Sequence, residues 1–221
     1  MSRVPEYDAP RFIAVEGPIR VGKTSLARIL ADRFRAELVL DVEDNPFLES
    51  FYSDQPGAGF QAQAYFLLRR YQQLSALNFS STARRRVVSD FIFEKDRIFA
   101  NLNLNDEELA LYEQYYALLA EQIPIPDLVI YLQAGAKTLE ERIAKKNVRF
   151  EGRISEDYLE AVVKAYEHFF FRYQSSNLLV IETSKIDFVE RSQDLEQLLK
   201  RLDQPVKGTQ YYLPLGSVTE D

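Results

Sequence analysis

Eight consecutive residues, GPIRVGKT from Gly17 to Thr24, combine the residue types that hold a polyphosphate. They fit G-x-x-x-x-G-K-[ST], a loop whose backbone N–H groups wrap nucleotide phosphates. In this reading Gly17, Pro18, Ile19, Arg20, Val21 and Gly22 form the cradle, with the two glycines permitting its tight path. Lys23 reaches the outer phosphates, and the Thr24 hydroxyl is placed to bind Mg²⁺. The flanks match what such a loop needs. RFIAVE (11–16) is a short β-rich run, and SLARILADRF (25–34) has apolar residues at helical spacing. Strand, loop and helix in that order aim the positive end of the helix at an anion. The implied ligand is a nucleoside triphosphate.

The elements that must position this loop follow from the rest of the pattern. Runs rich in β-branched and apolar residues recur at 12–15, 38–40, 87–88, 128–132 and 178–181. Helical periodicity fills 58–79, 106–122, 136–146, 155–174 and 188–202. Strands alternating with helices predict an α/β P-loop fold, a five-stranded parallel sheet with helices on both faces. Active groups then gather at the carboxyl ends of the strands. The 221 residues suit one domain, with the first ten residues and the tail from 205 to 221 expected to be peripheral. No cysteine is present, which excludes a disulfide framework and a thiolate metal site. No apolar run approaches membrane-spanning length and the N-terminus lacks a signal core, so a soluble, cytoplasmic protein is expected. A net charge of −7 argues against a nucleic-acid polymer as partner.

Four further segments fall where functional groups should sit. After the second strand, VEDNPFLESFY (42–52) places Glu43 and Asp44 just past a strand end. In FQAQAYFLLRRYQQL (60–74), Gln63 and Arg70 are seven apart and share a helix face. Such a pair is either a donor–acceptor edge for a planar base or a solvated polar stripe. After the third strand, SDF (89–91) puts Asp90 where P-loop enzymes place a Mg²⁺-associated carboxylate. RIAKKNVRFEGR (142–153) then gathers five basic residues in an acidic chain, either a phosphate-facing cluster or a solvated helix end.

With VEGPIRVGKT, EDNPFLESFY, FQAQAYFLLRR, VVSDFIFEKDRIFA, PDLVIYLQ and RFEGRISEDYLE in view, the chain resembles the deoxynucleoside kinase family, from about Phe12 to Phe188. The spacings carry the likeness: Tyr52 to Gln63 is eleven, Gln63 to Arg70 seven, Glu151 to Tyr158 seven. The resemblance implies transfer of the γ-phosphoryl of ATP, with Mg²⁺, to the 5′-hydroxyl of a deoxynucleoside, in nucleotide salvage. It implies that Glu43 is the base for that hydroxyl, with Asp44 as the alternative. Tyr52 and Glu151 would hold the 3′-hydroxyl, and Gln63 and Arg70 would read the base. Lys146 and Arg149 would belong to a lid at about 145–153, over the transferring group. Asp187 and Phe188 would hold the ATP adenine through backbone groups. A homodimer is implied, with helices 58–79 and 106–122 as its interface.

The sequence also departs from the family pattern. Many relatives carry an acid followed by arginine after the third strand, whereas Asp90 is followed by Phe91, leaving open which cation takes the arginine's place. The string resembles the bacterial purine-specific branch, so deoxyadenosine or deoxyguanosine is the expected substrate. The alternatives are a pyrimidine deoxynucleoside kinase, a thymidylate-type nucleotide kinase, and a catalytically silent structural relative. Phe91 speaks against the second, and intact Lys23, Thr24, Glu43 and Asp90 against the third.

Overall fold

The computed structural model describes residues 10–77, 79, 85–146 and 154–216. Its centre is β1 (Phe12–Glu16), buried along its whole length as a strand covered on both faces must be. β1 lies between β3 (Val87–Ser89) and β4 (Leu128–Gln133), with β2 (Glu37–Val39) outside β3 and β5 (Asn177–Glu182) outside β4. These are the five runs expected from the sequence, and all of them pair in parallel. A sixth strand, β6 (Thr209–Tyr212), extends the sheet beyond β5, also in parallel. The tail expected to be peripheral therefore supplies an edge strand. Only its pairing with β5 marks it, because its residues alternate between exposed and half-buried positions.

Helix α1 (Lys23–Phe34) follows β1 and buries Leu26, Ala27, Leu30 and Ala31, an i, i+4 stripe against the sheet. Its face of the core also takes in α6 (Ala136–Lys146) and α8 (Ser192–Leu202). On the other face, α7 (Glu156–Phe171) lays Val162, Tyr166 and Phe170 against Val129, Tyr131 and Val180. α3 (Ala58–Ser75) and α5 (Asp106–Ala120) build a third apolar cluster around Leu67, Leu74, Phe91, Phe93 and Tyr112. A capping box starts α5: the Asn105 side chain accepts from the Glu108 N–H while Glu108 reaches back to the Asn105 N–H. Two helices lie outside the periodic segments, α2 (Leu48–Tyr52) and α4 (Lys95–Asn103). No described helix is long and apolar enough to cross a membrane.

This order sets the site. The connection from β1 runs outward to β2, while β4 lies on β1's other side, so a crevice opens at the carboxyl ends of β1 and β3. Ala14 of β1 stands level with Ser89 of β3, and Ser89 with Val39 of β2. The residues just beyond these strands, Gly17, Asp90 and Asp41, therefore emerge at one edge.

Candidate active site

The phosphate loop has the geometry that its sequence requires. Gly17 has φ of 149° and a Cβ there would come within 2.3 Å of the Leu132 carbonyl. Gly22 caps α1 with φ of 107°, and a Cβ there would meet the Phe188 ring at 2.7 Å. Neither position admits a side chain. No side chain caps the start of α1, leaving its first N–H groups directed into the loop. Lys23 folds back, its Nζ donating to the Gly17 and Pro18 carbonyls at 2.8 and 2.9 Å. Burial, with Lys95 nearby, pulls its pKa down to about 8. The Thr24 hydroxyl donates to Asp90 Oδ2, and Asp90 Oδ1 accepts from the Asp41 N–H at 2.6 Å. One carboxylate thus ties the loop after β1 to the chain after β2.

Beside the loop lies a cavity of about 210 Å³ whose lining includes Ile19, Lys23, Asp41, Tyr52, Gln63, Arg70, Lys95 and Tyr158. Its polar floor is an ion network. Arg70 grips Asp41 through two bonds of 2.8 and 2.9 Å, and donates a third, of 2.7 Å, to Asp96. The guanidinium also lies over the Phe66 ring, 4.8 Å from its centroid. Lys95 Nζ donates to Asp41 Oδ2 at 2.6 Å. Burial alone would raise the Asp41 pKa, but the two cations hold it well below the usual carboxylate range. Asp96, wholly buried, is pushed up to about 6 by that burial, with Arg70 offsetting only part. Gln63 is 4% exposed, and its Oε1 is buried without a partner. On the opposite wall, the Tyr158 hydroxyl donates to Asn103 Oδ1 at 3.1 Å while Asn103 Nδ2 is unpartnered.

The structure brings Lys23, Tyr52, Gln63 and Arg70 to this one cavity, with Thr24 and Asp90 in contact beneath the loop. It does not bring Glu43 or Asp44 there. Both are exposed and outside the cavity lining, whereas Asp41, two residues before Glu43, faces into it. The physical reason is the early end of β2 at Val39: the chain turns inward at Asp41 to meet Asp90, then leads outward. Asp187 is half-buried and accepts from the Val189 and Glu190 N–H groups. Phe188 is buried against Gly22. Arg142 of α6 joins these parts, donating to the carbonyls of Thr183 and Ile186 at 2.8 and 3.2 Å. Lys146 ends α6, exposed. Arg149 and Glu151 lie outside the described residues.

Asp41, Asp96 and Asn103 belong to this site without having been singled out from the sequence, and Lys95 without an assigned role. Asp41 carried a signal, since it is the first acid after a strand end. Lys95 and Asp96 carried none, because buried charges break the apolar spacing that would have marked α4.

A phosphate loop with an adjoining half-open cavity, largely apolar over a floor of paired ions, at the switch point of a parallel sheet defines an enzyme that moves a phosphoryl group from a nucleotide to a small acceptor. Comparison with known proteins narrows the class. The family model described as deoxynucleoside kinase matches residues 13–207. A deoxyguanosine kinase of Bacillus subtilis (strain 168) is 35% identical over 193 residues, covering 85% of this chain and 93% of that protein. A deoxyadenosine kinase of Lactobacillus acidophilus is 28% identical, covering 89% of this chain and 97% of its own length. The structure of the deoxyadenosine kinase from M. mycoides with bound dATP superposes with a TM-score of 0.73 at 25% identity, covering 87% of this chain and 100% of that one. The chain belongs to the deoxynucleoside kinase family, and it is a phosphotransferase.

Proposed function

We propose that this enzyme transfers the γ-phosphoryl of ATP to the 5′-hydroxyl of deoxyadenosine or deoxyguanosine, in cytoplasmic nucleotide salvage. The observation that supports the purine reading is Gln63. Gln63 lines the cavity together with Arg70, its carbonyl is buried and unpartnered, and its amide supplies both a donor and an acceptor. A purine edge, with N7 beside an exocyclic amino or carbonyl group, satisfies such a side chain. The M. mycoides and L. acidophilus kinases named for deoxyadenosine and the B. subtilis kinase named for deoxyguanosine accord with it.

In this reading the sugar lies between Tyr52 and Tyr158, its 5′ end toward Lys23, and Asp41 takes the role that the family resemblance implied for Glu43. Asp41 orients the 5′-hydroxyl and accepts its proton as the O5′–Pγ bond forms and the bond from Pγ to the ADP oxygen breaks. Its depressed pKa makes it an orienting acceptor more than a strong base, which suits a transfer in which the proton leaves late. Thr24 and Asp90 fit Mg²⁺: a hydroxyl and one carboxylate are the oxygen donors that this ion takes beside nucleotide phosphates. Bound there, it would neutralise phosphate charge. Lys146, Arg149 and Glu151 keep the lid roles that the family resemblance implies, and Asp187 and Phe188 the adenine side.

The homodimer belongs to the same reading. Leu111, Tyr115 and Leu118, at helical spacing on α5, are 42%, 47% and 70% exposed, and α5 packs against α3, where Leu68 is 49% exposed. A second copy would cover them. Sedimentation should show a dimer that Leu118→Glu dissociates; a monomeric wild type refutes it. The substrate is tested by ATP consumption with the four deoxynucleosides and their monophosphates. Turnover of deoxyadenosine or deoxyguanosine is the expected result. Turnover of monophosphates alone would make the protein a nucleotide kinase, and none at all a silent relative.

A further inference from the structure

The cavity holds one cation whose bonds do not account for it. Arg70 is committed: three of its five N–H groups are spent on Asp41 and Asp96, and its plane rests on Phe66. Lys23 belongs to the phosphate loop. Lys95 opens α4, its side chain 10% exposed, and its hydrogen bond among the described residues is the one to Asp41. An ammonium has three donors, so two remain. Phe91, the residue after Asp90, points its ring into the apolar cluster under α3 and is fully buried, so no cation reaches the cavity from that position. Among the described residues, Lys95 of α4 is therefore a cation of this cavity with donors left for a ligand.

Lys95 and Lys23 also line the same cavity, and Asp41, which Lys95 holds at 2.6 Å, is tied through its N–H to Asp90 and so to Thr24 beside Lys23. Burial and Arg70 disfavour the charge on Lys95, and Asp41 and Glu16 hold it protonated above the ordinary range. Two ammonium groups that line one cavity are both stabilised by an anion bound there. In a cavity flanked by a phosphate loop, that anion is a phosphoryl group.

We propose that Lys95 is the acceptor-side cation of the transfer, pairing with Asp41 before reaction and with the phosphoryl group on the 5′-oxygen during and after it. The inference rests on the reading of this cavity as the deoxynucleoside site. It gives Lys95 a contact with the reacting group, and assigns to α4 a charge that the segment after β3 does not supply. Lys23 stabilises the phosphoryl group from the donor side, Lys95 from the acceptor side.

The test compares Lys95→Met and Lys95→Arg with the wild-type enzyme, using ATP, Mg²⁺ and the deoxynucleoside that the wild type turns over best. Wild-type turnover establishes the underlying reading separately, before any variant is compared. Lys95→Met should lower kcat at least a hundredfold while binding the deoxynucleoside within about threefold of wild type. Its affinity for the corresponding 5′-monophosphate, measured calorimetrically, should fall tenfold or more. Lys95→Arg should recover kcat to within about tenfold of wild type and restore monophosphate binding. A kcat for Lys95→Met within threefold of wild type overturns the proposal. So does a parallel loss of deoxynucleoside and monophosphate binding, which would make Lys95 a prop for Asp41 alone. If Lys95→Met does not fold, Lys95→Gln is measured for the same two affinities, and equal losses again overturn it.

Discussion

Replacing Asp41 by asparagine separates orientation from charge at the centre of the site. The carboxylate accepts two bonds from Arg70, one from Lys95 and one from the Val42 N–H, and its side chain is 15% exposed. Asparagine keeps the shape and one acceptor oxygen. It removes the negative charge shared by two buried cations and turns two oxygens into one oxygen and one donor. Breaking a buried ion pair from one side costs about 3–5 kcal/mol. Arg70 keeps Asp96, which reduces the loss, so we expect about 2–4 kcal/mol and a fall in Tm of about 5–15 °C for a chain of this size. With the proton acceptor gone, kcat should fall by about 10²–10⁴. Glu43→Gln and Asp44→Asn, at exposed positions, should stay within about threefold of wild type in both Tm-corrected kcat and KM. The assay is steady-state kinetics on the three variants below their melting transitions, with deoxynucleoside binding measured in parallel. Should Glu43→Gln lose more kcat than Asp41→Asn, the base is Glu43 after all and the inward turn at Asp41 is structural.

Two further substitutions probe the donor loop and the base edge. Lys23→Ala removes the loop cation but leaves the backbone cradle, so a folded variant should lose turnover by orders of magnitude; retention of more than about a tenth of activity refutes its role. Gln63→Ala should lower kcat/KM for deoxyadenosine and deoxyguanosine by about five- to a hundredfold, the cost of an unpaired buried group of about 1–3 kcal/mol. In competition among the four deoxynucleosides, a tenfold preference for deoxycytidine or thymidine would end the purine reading.

The parallel sheet and most helices were legible because each buries an apolar stripe at its own period. α1 shows Leu26, Ala27, Leu30 and Ala31, and β4 runs LVIYL without interruption. β6 was not legible. TQYY has no buried face, and its order comes from pairing with β5 across thirty residues of intervening chain. α4 was illegible for a different reason. It buries Lys95 and Asp96 together with Ile98 and Ala100, so its inward face mixes charge with hydrocarbon and defeats a search for periodicity.

The site divides in the same way. Lys23, Thr24 and the glycines were legible because a phosphate cradle requires a local order of residues, and Gln63 and Arg70 because one helix turns them to one side. That Asp41 and not Glu43 lines the cavity was not legible, because three acids in four residues are distinguished only by how the chain leaves β2. That exit is fixed by a bond formed at long range, from the Asp41 N–H to Asp90. The same carboxylate receives the Thr24 hydroxyl, so Asp90 sets the position of the phosphate loop and of the acceptor acid together. Glu16 repeats the device one layer deeper. Wholly buried, it accepts from the N–H groups of Gly17 and Ile92 and from the Tyr166 hydroxyl, tying the loop after β1 to the loop after β3 and to α7. The phosphate loop, Asp41 and α7 are thus registered against one another by two carboxylates, each at or just past the end of a strand. Alignment of the acceptor oxygen with the γ-phosphorus is the chief demand of phosphoryl transfer, and in the proposed reading this cross-bracing serves it before either substrate binds.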